Sequence, residues 1–95
     1  MQSAVFMIQL AAEAKRRLTA TEIELNALSR RLQQARALDS VARHEIVNAL
    51  MICRSFSKLL DEEAVDADLV VEAMAALKRA RAIARGLETP VAVLA

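Results

Sequence analysis

The chain has 95 residues, and its 13 Lys and Arg nearly balance 12 Asp and Glu for a net charge of +1, so bulk charge gives no attraction for a polyanion. One cysteine excludes an internal disulfide and any cysteine-rich metal site. The one Gly and one Pro are Gly86 and Pro90, so nothing before residue 86 breaks a helix strongly, and the composition predicts an all-α fold with long helices.

A membrane crossing needs about 20 apolar residues. The apolar run 4–12 is shorter and carries Gln9, and Lys15-Arg16-Arg17 follow it. A membrane link is therefore expected only if the chain is a fragment of a larger protein. A lone cysteine, Cys53, set among apolar residues reads as a small buried hydrophobe and fits the cytoplasm.

A heptad begun at Ala4 puts Ala11, Leu18, Leu25, Leu32, Asp39, Ile46, Cys53 and Leu60 at a, and Met7, Ala14, Thr21, Leu28, Ala35, Ala42, Ala49 and Phe56 at d. Thr21 and Asp39 are its polar members. A repeat this long predicts one helix over 4–60, about 85 Å at 1.5 Å per residue, supercoiled against a second copy. From Lys15 to Ala35 the flanks are polar, as in a two-stranded coiled coil; beyond Leu38 they turn apolar, with Leu38, Leu50, Ile52 and Leu59, so the seam widens into a bundle. Thr19-Ala20-Thr21-Glu22 and Asp39-Ser40 each carry helix-start chemistry. The heptad phase runs through both, and Asp39 is read as a polar seam residue that fixes register or bends the helix locally.

Asp61, Glu62 and Glu63 suit a helix C-terminus poorly and predict a turn. Asp66 or Asp68 then caps a second helix with an inner stripe of Val70, Met74, Leu77, Ala80 or Arg81, and Ala84. Lys78, Arg79, Arg81 and Arg85 match the dipole of its last turns, and Gly86 stops it. The expected fold is an all-α antiparallel helical hairpin with a long first helix, dimerising into a four-helix bundle extended by an N-terminal parallel coiled coil. The segments are a coiled coil at 1–38, the hairpin at 39–86 and a linker-like tail at 87–95.

Chemistry centres on His44, the one histidine, at the outward heptad position f. Glu45 adjoins it and Asn48 lies one turn on. Val47 and Met51 share the outer side, where they form a partner surface beside the imidazole, or else lie inside a bundle that encloses them. His44-Glu45-Ile46-Val47-Asn48-Ala49-Leu50 resembles the H-box of the dimerisation and phosphotransfer (HisKA-like) domain of sensor histidine kinases. Val47 stands where that box has a basic residue, and Ala49 where it has proline.

The resemblance implies two-component signalling by a homodimer. His44 accepts a phosphoryl group, Glu45 acts as base, and Asn48 positions the transfer or a water. The implied partners are a kinase ATP-binding domain and a response-regulator receiver domain whose aspartate takes the phosphate. The chain has no Gly-rich ATP lid, so it holds no cofactor of its own; ATP enters only through a separate catalytic domain. The other reading is a non-catalytic helical adaptor or secretion-type chaperone that binds a partner helix through Val47, Met51 and its apolar ends. Nucleic acid is not expected, because no aromatic residue interleaves the basic cluster.

Overall fold

The computed structural model describes residues 4–61 and 65–94. It is all-helical, with α1 over Ala4–Gln34, α2 over Ser40–Leu60 and α3 over Ala67–Leu94, and no strand among the described residues. Each helix packs on the other two. Arg54 Nε donates to Glu22 Oε1 at 2.7 Å and Lys15 pairs with Asp61, so residues of α1 and α2 meet in antiparallel register. α3 returns alongside α1 and parallel to it. The result is a rod of 51 × 19 × 16 Å, three helices in cross-section.

The single helix expected over 4–60 is interrupted. Arg36 takes the left-handed conformation at φ 57°, Ala37 N–H donates to Leu32 O at 2.8 Å, and Arg36 N–H donates to Gln33 O at 3.1 Å. This is a Schellman stop with arginine where glycine usually sits. Asp39 then caps α2, its Oδ1 accepting from Ala42 N–H at 2.8 Å. Asp39 is an N-cap, not a seam residue, because a carboxylate answers an orphan amide at a helix start better than it fills an apolar position. Thr19-Ala20-Thr21-Glu22, in contrast, lies within α1.

The heptad residues are core residues nonetheless, but within one chain. Leu18, Leu25, Leu28 and Leu32 are essentially inaccessible, as are Ala14, Ala49 and Cys53, with Ala42 and Ile46 nearly so. The seam expected to join two copies is occupied by this chain's own α2 and α3. Alanine at Ala11, Ala14, Ala42, Ala49, Ala73, Ala76, Ala80 and Ala84 lets the backbones approach closely, and leucines fill the spaces between.

α3 differs from its expected form at both its stripe and its end. Asp66 is the cap, accepting from Leu69 N–H at 2.8 Å. The buried stripe is Val70, Ala73, Leu77, Ala80, Ala84 and Leu87, joined by Ala76, whereas Met74 and Arg81 are exposed. Gly86 does not stop the helix: its φ is not left-handed, and α3 continues through Pro90 to Leu94, over residues expected to form a linker. The boundary drawn at 38/39 falls in the connection between α1 and α2, and that at 86/87 falls inside α3. Glu62 and Glu63, from the acidic turn, lie outside the described residues.

Candidate functional site on the outward face of α2

α2 is amphipathic because its apolar residues recur at helical spacing. Ala42, Ile46, Ala49, Cys53 and Leu60 face the core, so the residues half a turn away face solvent. His44, Val47, Asn48 and Met51 are all exposed, Val47 by 47% and Met51 by 58% of their surfaces. Val47 and Met51 are one turn apart, and His44 and Asn48 form a second row beside them. Val41 is exposed at the start of the same helix. A shallow groove of about 430 Å³ runs beside Met51, lined by Asn48, Ile52, Ser55 and Phe56.

Glu45 is half-buried and projects about 100° around the helix from His44, since neighbouring residues in sequence do not share a face. Among the described residues neither the Glu45 carboxylate nor the Asn48 amide is hydrogen-bonded to the imidazole. The structure thus brings His44, Val47, Asn48 and Met51 to one surface and sets Glu45 at its edge. Among the described residues no three His, Cys, Asp or Glu side chains come together to hold a metal ion. No helix among them is long and apolar enough to cross a membrane.

Cys53 lies beneath this face, one turn past Ala49 and fully buried. Burial pushes its thiol up to about 11, with the Glu22 carboxylate adding to the shift. A thiol held neutral and buried in this way is a poor nucleophile near pH 7. Glu13 behaves in the opposite sense. The Arg16 and Arg17 guanidiniums hydrogen-bonded to it hold its carboxyl below the usual range.

A second surface was not legible as a site in the sequence. Arg17 of α1 and Met74, Leu77, Lys78, Arg81 and Arg85 of α3 line an open groove of about 530 Å³ between the two parallel helices. The spacing 74, 78, 81, 85 is the signal that places these residues on one stripe, with Arg79 turned off it. The contribution of Arg17 depends on tertiary packing and leaves no trace in the sequence.

The chain matches no protein-family model, and no curated protein or solved structure is significantly similar to it. The likeness to the histidine-kinase H-box therefore rests on the seven residues His44–Leu50.

Proposed function

We propose that this chain is a helical interaction module whose α2 receives the apolar face of a partner helix. The observation that carries the reading is the pair Val47 and Met51. Both are large, apolar and about half exposed, one turn apart, on a helix whose other face is already committed to the core. Two such side chains at helical spacing are what helix-in-groove recognition uses as anchors. The groove beside Met51 gives an incoming side chain a place to insert. His44 and Asn48 form the polar rim that orients the partner. This corresponds to the adaptor or chaperone alternative.

The phosphotransfer reading keeps one specific support, the exposure of His44 with Asn48 on the next turn of the same face. In that reading His44 takes a phosphoryl group from a separate ATP-binding domain and passes it to a receiver aspartate. It fits the structure less well, since Glu45 does not contact the ring. A parallel homodimer through the heptad seam would also require α1 to release α2 and α3, because its leucines are buried within one subunit.

A photo-crosslinker at position 51 of the full chain, with one at position 79 as the comparison, identifies what docks on α2. Affinity of the purified crosslinked protein is then measured for wild type, Val47→Glu/Met51→Glu and His44→Ala. The module reading expects loss in the double variant and retention in His44→Ala. Equal affinity in all three contradicts it. An acid-labile phosphoryl label transferred from a kinase domain and absent in His44→Ala would instead favour phosphotransfer.

A further inference from the structure

We infer that the groove between α1 and α3 is a second docking site, and that its occupant is an acidic amphipathic helix of a partner protein. Lys78 and Arg81 stand three residues apart on α3, where like charges repel along a helix. A helix C-terminus would compensate this, but α3 continues to Leu94 and has no basic residue in its last turn, so the cations sit away from the favourable end of the dipole. Among the described residues neither Lys78 nor Arg81 has an ion-pair partner. Arg17 closes the groove from α1, held in place by Glu13 at 2.9 Å.

The floor of the groove is apolar. Met74 is exposed there and Leu77 lies beneath it, and Val71, one turn earlier, is 68% exposed. An occupant must therefore bring carboxylates to one end and apolar side chains to the other. A sugar-phosphate backbone supplies only the first, and the chain has no Trp or Tyr on which a base could stack. A helix laid between two parallel helices supplies both, and its addition makes the three-helix bundle a four-helix one. This site is on a different face from the α2 anchors, so it is tested separately from them.

The probe is a fluorescein-labelled helical peptide of roughly 20 residues with Leu on one face and Glu flanking it, about three heptads long. It is titrated by anisotropy with the full chain, alongside the same peptide with Lys for Glu, a single-stranded RNA oligonucleotide and vesicles of phosphatidylglycerol. Wild type should bind the acidic peptide and not its Lys counterpart, more weakly as salt rises. Lys78→Glu/Arg81→Glu should lose about tenfold or more in affinity and acquire binding to the Lys peptide. Arg79→Glu, off the stripe, should bind as wild type does. Helicity by circular dichroism verifies that each variant is folded. The inference is overturned if the acidic peptide does not bind, if Arg79→Glu loses as much as the double variant, or if only the RNA or the vesicles bind.

Discussion

Two short stretches of this chain carry the same helix-start chemistry and behave oppositely. At Thr19–Glu22 the helix runs straight through. Thr21 is 3% exposed, and its Oγ1 donates to the Arg17 carbonyl at 2.8 Å, so the hydroxyl serves the helix that precedes it. Glu22, the acid of the apparent capping box, reaches across to Arg54 on α2. At Ala35–Asp39 the chain turns over: Arg36 goes left-handed, and Asp39 gives its carboxylate to the first turn of the next helix. Both stretches keep the heptad phase. The phase records which residues are buried, and it is blind to whether the covering helix comes from a second molecule or from the same chain folded back.

The largest effect that would break this comparison lies in the leucines between the two stretches. Leu25→Asp with Leu32→Asp places two charges in a core that is sealed within one subunit, and the chain should unfold outright. If the leucines instead joined two copies of an extended helix, circular dichroism would show helical monomers. Single Leu25→Ala and Leu32→Ala changes should each cost about 2–5 kcal/mol in urea unfolding.

Next comes pH, through the buried thiol of Cys53. The Cys53 thiol is raised in the folded chain from 9.0 to about 11, so the unfolded chain ionises first. Its contribution is complete below pH 9.0 and is lost as pH climbs toward 11. At about 1.4 kcal/mol per tenfold change in ionisation, the loss by pH 11 approaches roughly 2–3 kcal/mol. Denaturation of wild type and Cys53→Ala across pH 8 to 11 should diverge by that amount, with wild type the steeper; parallel profiles would place Cys53 in water. Alanine lacks the thiol, so any slope it shares with wild type comes from other groups.

Smaller effects sharpen the turn itself. Asp39→Ala removes the cap of α2 and should cost about 1 kcal/mol, within the usual 0.5–2. A residue inside an unbroken helix would gain from the same change, so the sign alone separates the two architectures. Arg36→Gly should stabilise by up to about 1 kcal/mol, because glycine adopts a left-handed φ without the Cβ clash that arginine carries there. In a continuous helix that substitution would cost about as much.

Much of the core was legible in the sequence. The a and d residues from Ala11 to Cys53 are those buried, apart from Ala35 and Asp39 at the turn, and Asp66 caps α3. The same count puts His44 outward, whereas for Val47 and Met51 it allows either an exposed surface or enclosure in a bundle, and both are exposed. The reversal at Ala35–Asp39 was not legible, because its stop uses arginine in place of the glycine that marks such turns. Gly86 failed in the opposite direction. Its local signal for a helix end was overridden, since Ala84 and Leu87 on either side of it are both drawn into the core. Met74 was misplaced because Ala73 and Leu77 on neighbouring turns fill the inner stripe without it. The cationic groove needed Arg17, some 60 residues from its neighbours in the chain, and no spacing rule spans a tertiary contact.

The claim on which the rest depends is that α1, α2 and α3 close on one another within one molecule. Light scattering coupled to small-angle X-ray scattering of the intact chain tests it most directly. The account predicts the monomer mass of 10.4 kDa with a radius of gyration close to the Cα value of 15.2 Å. A particle of twice that mass with a longest dimension of about 85 Å or more, the length of an unbroken helix over 4–60, would contradict it.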